Sequence, residues 1–259
     1  MAGRALVTGG ARRLGRAMAL YLAGRGYAVA VHYATSSAEA ETVAAEAKSL
    51  GVGAAALAAD LLDETATEAL VARAAEALGG PLTVLVNNAS IFEYDSIFSA
   101  TRESWDRHIG SNLRAPFVLT QRFAQECARA DRSAGEPRAS GLVVNMIDQR
   151  VLKPTPEFMT YSLAKAGLWA LTRTSAQALA PDIRVNAIGP GPTLQGVRQT
   201  AEHFRRQRAA TILERGAEPA DVTAALGFFL DSPSVTGQLI CVDGGQHLGW
   251  KTPDILGPE

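Results

Sequence analysis

Ala5-Leu6-Val7-Thr8-Gly9-Gly10-Ala11-Arg12-Arg13-Leu14-Gly15-Arg16-Ala17-Met18 is the stretch on which the fold turns. Ala5–Thr8 is short, apolar and flanked by glycine, which predicts a buried strand. The helical pattern Leu14–Arg25 follows at once, so the glycines lie in a strand-to-helix turn. Glycine lets a backbone turn tightly and approach a ligand, and a helix N-terminus offers unpaired N–H groups with a positive dipole. A pyrophosphate suits such a cradle.

The same rhythm continues along the chain. Strands are expected at Ala28–Tyr33, Ala54–Ala58, Thr83–Asn87, Gly141–Met146, Arg184–Gly189 and Gln238–Val242. Helices are expected at Ala38–Leu50, Thr65–Ala77, Arg102–Ala130, Thr160–Leu179 and Pro219–Leu230. Strands alternating with helices imply βαβ units and a parallel sheet covered on both faces. The near-continuous apolar character of the strands agrees with burial on two sides. The expectation is an α/β fold: one doubly wound, Rossmann-type domain over residues 1–259, with seven parallel strands. Asp131–Ser140 is polar and is read as a surface loop. Residues 193–215, rich in Arg and Gln, leave the sixth strand where α/β sheets bind ligands, and are assigned as a substrate lid.

Composition narrows the function classes. A chain of 259 residues with 47% hydrophobic content can bury a large core, and 25 basic against 26 acidic residues leave a net charge of −1. No global field steers nucleic acid or an anionic membrane to it. The two cysteines, Cys127 and Cys241, lack metal-ligand spacing, so no metal is expected. No apolar run is long enough to span a bilayer. Met1-Ala2-Gly3-Arg4 passes directly into a strand without room for a signal peptide, and a cytoplasmic setting is expected.

Tyr161-Ser162-Leu163-Ala164-Lys165 opens a strong helical pattern, and the i,i+4 spacing puts both side chains on one face. A tyrosine hydroxyl titrates near 10, so bringing it to about 7 needs about 4 kcal/mol. A lysine charge at about 4 Å, in an effective dielectric of about 20, supplies about that much. The pair makes chemical sense as a proton donor with its activator.

Together with the glycine turn, this pair resembles the short-chain dehydrogenase/reductase family, whose turn is Thr-Gly-x-x-x-Gly-x-Gly. The resemblance implies cofactor contacts from Thr8, Gly9, Leu14 and Gly15, with Arg13 replacing the middle glycine. It implies an adenine site at Asp60-Leu61 and a cofactor-lining segment at Asn88-Ala89-Ser90. It also implies a nicotinamide-side turn at Pro190-Gly191, with Thr193 beside it. Asn112 corresponds to the family's catalytic asparagine, which bends a helix and feeds a proton relay to the lysine.

Cofactor choice is read from charge. Arg12 and Arg13 flank the turn, and an arginine beside the adenosine ribose pairs with a 2′-phosphate. The second strand ends in His32-Tyr33-Ala34-Thr35-Ser36-Ser37, with Glu39 the first acid. His32, Tyr33 and Ser36 are assigned to this pocket. A carboxylate that would select NAD by its ribose hydroxyls is missing from the strand end. NADP(H) is expected, with Arg13 as the principal reader of the 2′-phosphate.

Asp148 lies thirteen residues before Tyr161, where most of the family carries serine. An ionised carboxylate there would repel the oxyanion formed in carbonyl reduction. It suits a substrate with N–H donors, or a ring nitrogen that gains a proton as C=N is reduced. With Arg13-Leu14-Gly15, His32-Tyr33, Asn88-Ala89-Ser90, Phe92 and Asn145-Met146-Ile147-Asp148, the resemblance narrows to pteridine and dihydromonapterin reductases. It implies Asp148, Tyr161 and Lys165 as the catalytic set, and Phe92 as a wall against a planar substrate. The alternatives are an NADPH-dependent ketone or 3-oxoacyl reductase, and a non-catalytic NADP-binding regulator. The resemblance also implies a homotetramer, with the tail Gly249–Glu259 placed to reach a neighbouring subunit.

Overall fold

The computed structural model describes residues 3–196 and 198–250. Seven parallel strands form one sheet: β1 (Gly3–Val7), β2 (Tyr27–Tyr33), β3 (Ala54–Ala58), β4 (Val84–Asn87), β5 (Gly141–Met146), β6 (Ile183–Pro190) and β7 (Leu239–Val242). Their spatial order is β3-β2-β1-β4-β5-β6-β7. The chain runs outward from β1 in one direction, then returns to build the other half from β4. The two halves diverge at a crevice beyond the carboxyl ends of β1 and β4, which is where open α/β sheets bind ligands.

Every expected strand forms, Ala54–Ala58 and Gly141–Met146 with the expected bounds and the others with ends shifted by at most two residues. The helices are α1 (Arg13–Gly24), α2 (Ser37–Ser49), α3 (Glu64–Ala77), α4 (Arg102–Ile109), α5 (Ala115–Glu126), α6 (Met159–Ala178), α7 (Ala201–Ala209) and α8 (Pro219–Asp231). On α1 the buried residues Gly15, Met18, Ala19 and Leu22 repeat at helical spacing and face the sheet. They join Val29, Val31, Val222 and Phe229 in the core on one side. Leu70, Leu85, Leu119, Phe123 and Val143 build the core on the other.

One expectation needs correction. The predicted helix Arg102–Ala130 is three segments, because a π-helical turn at Gly110–Arg114 separates α4 from α5 and the helix stops at Glu126. A hydrophobic pattern reveals the face a helix buries but not an extra residue inserted into its ladder. Residues 193–215 include a regular helix, α7, closed at its start by the Thr200 side chain. Its predicted charge-rich composition hid a helix with no buried residue. Of the C-terminal tail, residues 251–259 lie outside the described residues. Among those described, no helix is long and apolar enough to cross a membrane.

Candidate active site

The turn between β1 and α1 has the geometry its sequence demands. Gly9 has φ of +60°, and a Cβ on Gly15 would stand 2.0 Å from the Gly9 carbonyl oxygen. Any larger residue at Gly15 would push the helix off the turn. No side chain caps the start of α1, and no acid lies in its first turn. Its free N–H groups therefore face a cavity of about 660 Å³. That donor set and the absence of Cβ atoms fit a bound pyrophosphate.

The cavity runs along the carboxyl edge of the sheet. Its walls include Gly9, Arg12, Arg13, Leu14 and Gly15 from the turn, and His32, Asp60 and Leu61 from the β2 and β3 side. Asn88, Ala89, Ser90, Gly191 and Thr193 line its other end. All of these were expected from sequence. Ala34, Thr35, Ile91, Arg107, Ser111 and Leu194 also line it and were not. Sequence spacing marks the strand ends but does not show how far each following loop folds back.

Four expected contacts sit off the wall. Thr8 is buried, and its hydroxyl accepts from the Asn88 and Ala89 N–H groups at 2.8 and 3.0 Å, so it clamps β1 to β4. Tyr33 packs against the core and its hydroxyl accepts from Ser37 at 3.2 Å. Ser36 is the residue from which α2 starts, and Pro190 ends β6. His32 reaches the cavity but is engaged in structure. Its Nδ1 accepts from Gly9 N–H at 3.0 Å, so Nε2 carries the proton donated to the Ala59 carbonyl at 3.0 Å. Burial pulls this imidazole down to about 4, so it is neutral.

The two arginines part company. Arg13 adopts φ of +52°, a left-handed conformation that favours glycine, which is the physical reason for glycine at that turn position. Its guanidinium donates to the carbonyls of Gln195 and Leu194 at 2.8 and 2.9 Å, tying the turn to the segment before α7. Arg12 pairs with Glu39 on α2, and like Thr35 it lines the cavity. Both guanidinium groups are thus engaged, that of Arg13 by main-chain carbonyls and that of Arg12 by an exposed carboxylate.

Tyr161 and Lys165 lie on one face of α6, and both are buried. The Tyr161 hydroxyl donates to Asp148 Oδ2 at 2.9 Å, and Asp148 Oδ1 accepts from the Arg150 N–H at 2.9 Å. Lys165 Nζ donates to the Met146 carbonyl at 2.8 Å and stands 5.7 Å from the Tyr161 ring centre. Burial lowers the lysine to about 8. Burial, and then the Asp148 carboxylate, raise the tyrosine well above 10. The phenol is hydrogen-bonded to Asp148, whereas the Lys165 ammonium is on the Met146 carbonyl. Asp148 is nearer the phenolic oxygen and opposes its ionisation.

Asn112 sits in the π turn with both amide groups on Ile91: Nδ2 donates to its carbonyl at 2.8 Å, and Oδ1 accepts from its N–H at 2.9 Å. It pins the loop after β4 that carries Phe92. Phe92 stacks on Phe158, with ring centres 4.2 Å apart and planes 10° from parallel, and meets the Tyr161 ring edge-on at 4.7 Å. Arg150 and Arg198 lie 5.0 and 5.8 Å from the Phe158 ring centre, and Arg198 also donates to the Phe92 carbonyl. Phe158, Arg150 and Arg198 were missed from sequence. Phe158 precedes Tyr161 by three residues, a spacing that hints at a shared helix end and nothing more.

The fold also gathers Cys241, Asp243 and His247 within 4.8 Å of one another, which their spacing did not suggest. Asp243 is already saturated, accepting from the N–H groups of Gly245 and His247 at 2.9 and 2.8 Å and meeting the His247 ring at 2.7 Å. That pattern is a turn closure.

Comparison with known proteins agrees with this geometry. The family model adh_short_C2, described as enoyl-(acyl carrier protein) reductase, matches residues 9–247. The 3-oxoacyl-[acyl-carrier-protein] reductase FabG of Staphylococcus aureus is 32% identical, over 94% of this chain and 98% of its own. The structure of FolM alternative dihydrofolate reductase 1 from Brucella canis, complexed with NADP, superposes with a TM-score of 0.90 at 43% identity, covering 98% of this chain and 97% of that one. A short-chain dehydrogenase from Burkholderia cenocepacia in complex with NADP gives 0.84 at 32% identity, covering 95% and 98%.

Proposed function

The chain belongs to the short-chain dehydrogenase/reductase family of oxidoreductases, and from that premise we propose that it reduces a dihydropterin-type substrate with NADPH. The observation that carries the substrate class is the hydrogen bond from Tyr161 to Asp148. A carboxylate in that place disfavours a developing oxyanion and favours a substrate with N–H donors. The FolM structures, at 43 and 44% identity, support the same class.

NADPH, when bound, supplies the hydride. The free N–H groups of α1 would hold its pyrophosphate, Arg12 and Thr35 its 2′-phosphate, and Thr193 its nicotinamide end. Asp148 and Tyr161 share one proton across their hydrogen bond. A second proton, taken up by Asp148 from solvent and turned to the phenolic oxygen, would free the Tyr161 O–H for a ring nitrogen and then replace the proton given up there. Lys165, anchored on Met146, would hold the ribose side of the site, and Phe92 would face the planar substrate. Asn112 would act through the loop it pins. A homotetramer is part of the same reading.

The 3-oxoacyl alternative rests on FabG at 32% identity. Assay of the purified protein with NADPH against dihydrobiopterin, dihydromonapterin and an acetoacetyl thioester separates the two. Pterin turnover is expected, and thioester turnover without it would sink the proposal.

A further inference from the structure

Asp95, His108 and Thr160 form a buried polar cluster beside the site that no part of the proposed chemistry uses; each is at most 2% exposed. Asp95 lies in the irregular segment between β4 and α4, His108 near the end of α4, and Thr160 in the first turn of α6. Buried polar groups are costly unless each is paired, so the bonds can be followed atom by atom.

The Glu93 N–H donates to His108 Nε2 at 3.1 Å. A main-chain N–H can only donate, so Nε2 bears the lone pair and Nδ1 carries the proton. Nδ1 lies 2.7 Å from Thr160 Oγ1, which therefore accepts from it. The Thr160 hydroxyl proton then goes to Asp95 Oδ2, which also accepts from Ser104 Oγ at 3.0 Å. Asp95 Oδ1 accepts from the Thr160 N–H at 3.1 Å, and its carbonyl from the Met159 N–H at 3.3 Å. The chain of donors runs one way, from Glu93 through His108 and Thr160 to Asp95.

Two consequences follow from where this chain is anchored. Phe158, the residue before α6, adopts φ of +55° and supplies no side-chain cap, so Asp95 closes that helix start from outside it. At the other end, the relay holds Glu93, the neighbour of Phe92, in a segment without regular backbone pairing. Phe92 and Tyr161 are each one residue from a relay member, and their rings touch edge-on. The His108 ring lies 6.1 Å from that of Tyr161.

We infer that Glu93 N–H, His108 as its Nδ1–H tautomer, Thr160 and Asp95 form a positioning relay that sets Phe92 against Tyr161, and so sets the pose of the substrate ring relative to its proton donor. The inference rests on the pterin reading for the identity of the ring, but not for the relay itself. A displacement of about 1 Å in such a pose costs about a hundredfold in rate. None of the relay atoms reaches the dinucleotide cavity, so cofactor affinity stands apart from it.

The test uses the full chain. Thr160→Val removes the hydroxyl with little change of shape, and Thr160→Ser restores it. Thr160→Val is expected to lower kcat/KM for the dihydropterin by about tenfold or more, with Kd for NADPH changed by less than about twofold. Thr160→Ser is expected within about threefold of the unaltered protein. A fully active Thr160→Val, or a Thr160→Ser as impaired as it, overturns the relay. Should the valine variant not fold, ring carbon and nitrogen NMR shifts of His108 in the unaltered protein decide the matter. The Nδ1–H tautomer is expected at neutral pH, and the Nε2–H tautomer or an imidazolium overturns it. The tautomer involves no substrate, so failure to reduce pterins would strike the proposed function alone. The variants would then be compared on the acetoacetyl thioester.

Discussion

At the scale of single residues, the neighbouring arginines of the first turn have different tasks. Arg12 pairs with Glu39 on α2 and like Thr35 lines the cavity, whereas both amino groups of Arg13 hold the carbonyls of residues 194 and 195. Arg12→Ala is expected to raise KM for NADPH by about tenfold or more while leaving NADH almost unchanged, as loss of a phosphate partner should. Arg13→Ala is expected to weaken both cofactors alike, by loosening the segment over the cavity. Steady-state kinetics with the two nicotinamides checks this, and a selective loss in Arg13→Ala would show it to be the 2′-phosphate reader. His32 carries a second prediction. Burial holds its folded value at about 4 against an ordinary 6.5, so between these limits the unfolded chain binds more protons. Stability therefore falls as pH falls through that window, by on the order of 3 kcal/mol near pH 4. Urea unfolding across pH 7 to 4 should show this loss, and His32→Gln should lessen it.

At the scale of elements, the π turn Gly110–Arg114 explains why one predicted helix became two. It rotates Asn112 inward, where its amide answers both main-chain groups of Ile91. The residues after β4 have no strand partner, so Phe92 is held by this clamp, the Asp95 cluster, its stack on Phe158 and the Arg198 bond to its carbonyl. Asn112→Ala would leave the part-buried Ile91 N–H without its acceptor, while the Ile91 carbonyl keeps the Ser90 hydroxyl at 3.4 Å. A loss of about 1–3 kcal/mol is expected for the one orphaned group. Denaturant unfolding gives the loss directly, and KM for substrate should rise more than KM for NADPH. A variant as stable as the unaltered protein would mean that the loop is held by other contacts. Asn112 was picked out by its correspondence to the family's asparagine, whereas its partner, twenty-one residues away, was not legible.

At the scale of the whole molecule, α5 and α6 lie on one face of the sheet and present a groove lined by Phe117, Thr120, Gln121 and Leu171, with Phe117 41% exposed. An apolar side chain so placed on a long helix fits an interface between copies of the chain. Light scattering is expected to give a homo-oligomer, and Phe117→Glu to shift it towards smaller species; a monomer in both cases would refute the assembly.

The strand–turn–helix alternation, the seven strands and the Tyr-Lys pair were legible in the linear sequence because each depends on local periodicity and short spacing. Asp148 was legible too, because its distance from Tyr161 is set by one strand end and one helix start. Tertiary structure alone decided what these groups do to one another. It gave the tyrosine an acidic neighbour at hydrogen-bond distance, set the Arg13 guanidinium on the main chain of residues 194–195, and stacked Phe92 on Phe158. It also drew Asp95, His108 and Thr160 into one buried chain of hydrogen bonds. Burial and the direction of each bond depend on groups up to 182 residues apart in the chain, and a local pattern carries no information about those.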